Sequence, residues 1–179
     1  SYWECLDDLG ATLALTADHG MNAKHGADGL PQVIYLQTLL DDWIGAGRAR
    51  VILPITDPYV VHHGALGGYA TAYLPDDIET AEIVARLAAL DAVEAAMDKE
   101  TACTTFGLPP DRSGDIVVVS VKNWTIGASA DRHDLSALKE PLRSHGGISE
   151  QQVPLIFNRP IDGLVAERRL RNFDIYDIA

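Results

Sequence analysis

The sequence predicts an α/β protein whose core strands and helices are interrupted by an inserted α+β unit. Two short apolar runs closed by polar residues, "GATLALT" (10–16) and "VPLIFN" (153–158), read as buried core strands. The first is expected in a parallel sheet, where both faces are covered. Between them, residues 50–121 read β-β-α-β-α-β, with both helices expected on one side of the sheet. The expected organisation is therefore core at 1–49, an inserted α+β unit at 50–121, and a return to core at 122–179.

Each element has a local reason. "QVIYLQTLLDDWIGAG" (32–47) shows helical periodicity, with Leu36, Leu39, Leu40 and Trp43 on one face and Gly45 and Gly47 as stops. "RVILPIT" (50–56) and "GGYATAYLP" (67–75) read as strands. "DDIETAEIVARLAAL" (76–90) reads as an amphipathic helix, with Asp76 or Asp77 as N-cap and Glu79 completing a near capping box. "AVEAAM" (92–97) reads as a short strand. "DKETACTTFG" (98–107) reads as a short helix capped by Asp98 and stopped by Gly107. "GDIVVVSV" (114–121) reads as a strand, 132–149 as a loop, and "RNFDIYDIA" (171–179) as the first turns of a helix.

Charge narrows the function classes. The 14 basic residues face 26 acidic ones, for a net charge of −12. That field repels phosphodiester backbones and anionic lipid, so no nucleic-acid or membrane partner is expected. An anionic small substrate needs a local cation cluster, and bound metal ions would supply one. No apolar run approaches the ~18 residues of a spanning helix. "SYWECLDDLG" lacks the basic and apolar regions of a signal peptide. Cys5 and Cys103 have no metal spacing and make no disulfide framework, which points to a reducing, cytoplasmic setting.

Two places carry chemistry. Asp18 and His19 follow the first strand at its carboxyl end, where ligands bind open α/β sheets. Oxygen and nitrogen donors together suit Zn, Mn or Fe. By spacing alone, a capping Asp beside a loop His accounts for the pair equally well. His145 sits in "RSHGGIS", where two glycines allow a close backbone approach before the second apolar strand. A surface loop histidine accounts for that stretch taken alone. Lys24 and His25 could reach the same region, but a helix-entry loop explains them adequately. His133 and Asp134 read as a turn with a cap, and His62-His63 as an exposed hairpin pair. GxSxG, P-loop, GxGxxG and CxxC motifs are absent.

"TADHGMNAKH", an inserted α+β unit and "LRSHGGISEQQVPLIFNRP" in that order resemble the alkaline phosphatase superfamily, and within it the phosphonoacetate hydrolases. The resemblance runs along nearly the whole chain. It implies a sandwich core, here partial, with residues 50–121 as much of a cap over a two-metal site. It implies hydrolysis of the carbon–phosphorus bond of phosphonoacetate to acetate and phosphate. Asp18 and His19 correspond to ligands of the metal beside the nucleophile, and His145 to a ligand of the other. Two divalent metals are implied, zinc above all, with Mn or Fe as alternatives. The family's nucleophilic Thr, an Asp ligand, an Asp-x-x-x-His pair and substrate lysines all precede the Asp-His motif, and residues 1–17 hold no match. The chain is expected to be the later part of such an enzyme and inactive alone. The partner expected is a small phosphonate, and a homodimer is the assembly considered. Alternatives are another superfamily activity (phosphodiesterase, pyrophosphatase or phosphoglycerate mutase) or a non-catalytic binding fragment of the fold.

Overall fold

The computed structural model describes residues 1–55, 66–161 and 169–179. In chain order they form α1 (Tyr2–Asp8), β1 (Ala14–Thr16), β2 (Asn22–Ala23), β3 (Val33–Tyr35), α2 (Leu36–Ile44) and β4 (Arg50–Ile52). Next come β5 (Tyr69–Tyr73), α3 (Thr80–Ala88), β6 (Val93–Asp98), α4 (Lys99–Phe106) and β7 (Ile116–Ser120). The last are β8 (Thr125–Gly127), β9 (Arg143–Ser144), β10 (Leu155–Phe157) and α5 (Ile175–Ile178). The chain divides into two compact units, one of residues 1–20 with 151–179, the other of residues 21–150.

In the larger unit an antiparallel sheet runs in the order β4-β5-β7-β6. Its central strand, β7, is buried at all five residues. Successive strand residues point to opposite faces, so the apolar run of β7 needs cover on both. On one face Ile116 and Val118 pack with Ala70, Ala72, Leu36 and Leu40 of α2, and Ile83 and Leu87 of α3. On the other, Val117 and Val119 pack with Ala102 and Phe106 of α4, Met97 and Tyr69. The expected β-β-α-β-α-β order holds, but the helices lie on opposite faces rather than on one. The apolar residues at consecutive positions 116–119 decide this.

Local chemistry accounts for the helix ends. The helix expected over 32–47 begins only at Leu36, because Val33–Tyr35 pairs in parallel with β8. No side chain caps α2; the Gln37 and Thr38 N–H groups donate to the Ala128 carbonyl instead. At α3 the N-cap is Glu79, not Asp76 or Asp77. Asp77 is taken by Arg48, whose hydrogen bonds hold its carboxyl below the usual carboxylate range. Asp98 caps α4 by accepting the Thr101 N–H at 2.8 Å, and Gly107 ends it in the left-handed conformation, both as expected.

The smaller unit holds an α1 turn closed by a Ser1–Glu4 capping box. β1 pairs antiparallel with β10, and not within a parallel sheet. Leu15 lies directly opposite Ile156, and both are exposed, at 52% and 44%. The two apolar strands are therefore open on this face rather than buried. Asn158 anchors the ladder, its Oδ1 accepting the Leu13 N–H at 2.8 Å and its Nδ2 donating to Asp7 and the Ala11 carbonyl.

Because Leu87 and Ala102 sit on opposite faces of β7, their energetics should be independent. Leu87→Ala is expected to cost about 2–5 kcal/mol, and the overpacking Ala102→Leu about 1–3 kcal/mol. In urea denaturation the double variant should equal their sum within about 0.5 kcal/mol. A coupling above about 1 kcal/mol would contradict the two-faced arrangement.

Candidate metal centre

Asp18 and His19 follow β1 by two residues, so a short paired strand sets where they start. The His19 N–H donates to Asp18 Oδ1 at 3.0 Å, which folds the carboxylate back toward the imidazole. His19 Nδ1 lies 2.8 Å from the Gly20 carbonyl, an acceptor, so Nδ1 is the donor there and Nε2 is the ring nitrogen left to face Asp18. That Nε2 stands 3.6 Å from Asp18 Oδ2. Two ligands of one tetrahedral cation, at bonds of about 2.0–2.1 Å, are separated by about 3.3 Å. A backbone carbonyl on the far ring nitrogen is the usual means of orienting a metal-ligating histidine. The pair fits two ligands of one cation. An ion pair would look similar, and the donor chemistry suits both.

His145 belongs to the larger unit. It follows β9, which pairs antiparallel with β2 so that Ser144 faces Asn22. Its carbonyl accepts the Gly68 N–H at 2.7 Å. The backbones approach closely here: a Cβ on Gly68 would stand 2.8 Å from Gly147 N. Gly146 adopts φ 103°, and a Cβ there would collide with the Ile55 side chain. The two glycines after His145 are therefore required by a turn pressed against Gly68 and Ile55.

Behind this turn lies a polar cluster that the sequence did not announce. Lys24 and Glu150 are both fully buried, with Lys24 Nζ 3.0 Å from Glu150 Oε1. Lys24 Nζ also donates to the Lys122 carbonyl at 2.8 Å. Glu150 Oε1 further accepts Asn22 Nδ2 and Ser149 Oγ, and Oε2 accepts the Gly147 N–H at 2.6 Å. Burial pushes the Glu150 carboxyl up. The hydrogen bonds from Asn22 and Lys24, the Lys24 charge and the Gly147 N–H outweigh it and leave the carboxyl below its ordinary value. The one available signal was spacing: Asn22 and Lys24, two apart, share a face in an extended segment.

The remaining histidines have structural places. His25 Nδ1 is 2.8 Å from the Gly26 carbonyl, and His25 bridges to Pro31 across a tight loop. His133 closes a turn, as expected, with its N–H on the Ala130 carbonyl, and it is also buried; its Nε2 accepts the Ala128 N–H at 2.9 Å, beside Tyr35. Asp134 does cap, accepting from Ser136. His62 and His63 lie outside the described residues. Among the described residues no three His, Cys, Asp or Glu side chains come together as a metal-holding group. Asp18 and His19 are brought together, and His145 is described within its own unit. No helix among the described residues is long and apolar enough to cross a membrane.

No protein-family model matches the chain. The resemblance read from the motifs is borne out by relatives. Phosphonoacetate hydrolase of Sinorhizobium meliloti, solved with phosphonoacetate, is 61% identical over 96% of this chain with a TM-score of 0.87. The same enzyme solved with phosphonoformate superposes with a TM-score of 0.88. Phosphonoacetate hydrolase of Penicillium oxalicum is 68% identical over 31 residues, covering 17% of this chain and 43% of that protein. The chain spans 41% of the Sinorhizobium enzyme's length. Murine ectonucleotide pyrophosphatase/phosphodiesterase 5, at 18% identity over 88% of this chain and 37% of that chain and a TM-score of 0.51, shares the fold.

The buried pair makes an acid-sensitivity prediction. A carboxylate held below its ordinary value contributes stability above about 4.5, the ordinary value, and loses it as pH falls through the folded value. Glu150→Gln strands the Lys24 charge and is expected to cost about 3–5 kcal/mol near pH 7. In urea melts, the gap between wild type and variant should narrow below that pH. A gap that widens on acidification would contradict the assignment.

Proposed function

We propose that this chain is the metal-binding part of a hydrolase that cleaves the carbon–phosphorus bond of phosphonoacetate to acetate and phosphate. The observation that carries the reading is the 61% identity, over 96% of this chain, to an enzyme solved with phosphonoacetate bound. In this reading Asp18 and His19 hold one divalent cation and His145 helps hold a second, with zinc the expected metal. Residues 50–121 serve as the cap, and 1–49 with 122–179 as the core.

The chemistry asks for this arrangement. Hydrolysis places a water oxygen on phosphorus and a proton on the methylene carbon, so the leaving group is a carbanion. Its charge can spread into the neighbouring carboxylate, and cations or hydrogen-bond donors at that end stabilise it. A substrate carrying both phosphonate and carboxylate meets a chain of net charge −12, so local cations must reverse the field. Bound divalent cations would neutralise the phosphonate oxygens and lower the pKa of the attacking hydroxyl. The chain's own part is to orient the ligands: the Gly20 carbonyl sets the His19 tautomer, and the "HGG" turn aims His145. The reading assigns no nucleophile within the 179 residues.

Two measurements test it. In the protein expressed from the complete open reading frame, His145→Ala should remove about one equivalent of bound zinc by elemental analysis. Unchanged metal content would sink the ligand assignment. The 179-residue chain alone should release no phosphate from phosphonoacetate above a metal-only control. The complete protein should release phosphate from phosphonoacetate in a screen that includes phosphodiesters and phosphoglycerates. Turnover of only a phosphodiester would move the assignment to the phosphodiesterase branch.

A further inference from the structure

We propose that the buried Lys24–Glu150 pair positions His145, making Glu150 a positioning residue for one of two metals. This rests on the ligand reading given above for His145. Replacing a buried ion pair with apolar residues of similar volume is often neutral or stabilising, so stability alone gives weak reason for this one. Its geometry gives a better one. The two carboxylate oxygens of Glu150 face different tasks. Oε1 gathers Lys24, Asn22 and Ser149, while Oε2 takes the Gly147 N–H at 2.6 Å. Lys24 Nζ ties the same cluster to the Lys122 carbonyl.

His145 is thereby bracketed. On its N-terminal side, Ser144 is held in the β2–β9 ladder opposite Asn22, which is itself a donor to Glu150. At His145 the carbonyl is held by the Gly68 N–H at 2.7 Å. Two residues on, Gly147 is held by Glu150, and Gly146 between them is packed against Ile55. One carboxylate therefore governs backbone anchors on both sides of the histidine. A metal ligand must be held within about 0.5 Å of its working position. A charge-assisted hydrogen bond at Gly147 and the Gly68 bond at His145, with Ser144 fixed in the ladder beside them, provide such a hold.

The test uses zinc titrated by calorimetry into the metal-stripped protein expressed from the complete open reading frame. Glu150→Gln should weaken one of two zinc sites about tenfold or more and leave the other within about twofold. General loss of structure would weaken both, so the asymmetry separates positioning from folding. Leu87→Ala, a destabilising change in the α3 core, should leave both affinities unchanged per folded molecule. Should Glu150→Gln not fold, Ser149→Ala removes one donor to the same oxygen and should show the same one-sided weakening, about twofold or more. Parallel loss at both sites, or loss at neither, overturns the proposal. His145→Ala runs alongside: if it leaves both zinc sites intact, the ligand reading itself fails and the positioning role falls with it. If it removes one site while Glu150→Gln removes none, the ligand reading stands and only the positioning role is overturned.

Discussion

Two opposite charges buried together constrain the larger unit more than any single apolar contact does. Lys24 and Glu150 have no water to fall back on, so each remaining donor and acceptor must find a partner in the chain. The partners are Asn22, the Lys122 carbonyl, Ser149 and the Gly147 N–H. Meeting that demand brings together segments more than 90 residues apart in sequence. The turn that carries His145 has its form because those segments meet beneath it. Backbone glycines then let the turn press against Gly68 and Ile55 without a side chain in the way.

The sheet supplies the rigid floor. β7 is apolar on both faces, so it recruits α2 and α3 to one side and α4 to the other. A strand covered twice exchanges little with solvent and makes a poor hinge. Gly68, which holds the His145 carbonyl, immediately precedes β5, and β5 is paired to β7 along four positions. The anchor for the candidate ligand is thus bonded directly to the most buried strand of the unit. Asp18 and His19 are organised differently, by short-range bonds to their own backbone and to Gly20. One candidate position is set by tertiary contacts and the other by local ones.

Much of the fold was legible because it rests on local rules. The order of elements over 50–121, the Asp98 cap and the Gly107 stop follow from period, capping and punctuation, which need no partner. The misreadings share one cause. Val33–Tyr35 continues a helical period but pairs with β8, since a β-branched run beside a free ladder edge prefers the ladder. The strand at 10–16 was expected within a parallel sheet, but β1 pairs antiparallel with a strand some 140 residues later. Asp77 has the type and place of a cap but is taken by Arg48. In each case a distant partner outbid the local preference.

By itself the sequence determined the α/β class, the place of Asp18 and His19 at a strand end, the His145 turn and the family likeness. Those depend on residue type and neighbours along the chain. Only the tertiary structure decided that α3 and α4 take opposite faces, that His133 is a core residue, and that Lys24 and Glu150 form a buried pair. A charged residue reads as solvent-facing in sequence, because the energy that holds it inside comes from a partner more than 120 positions away.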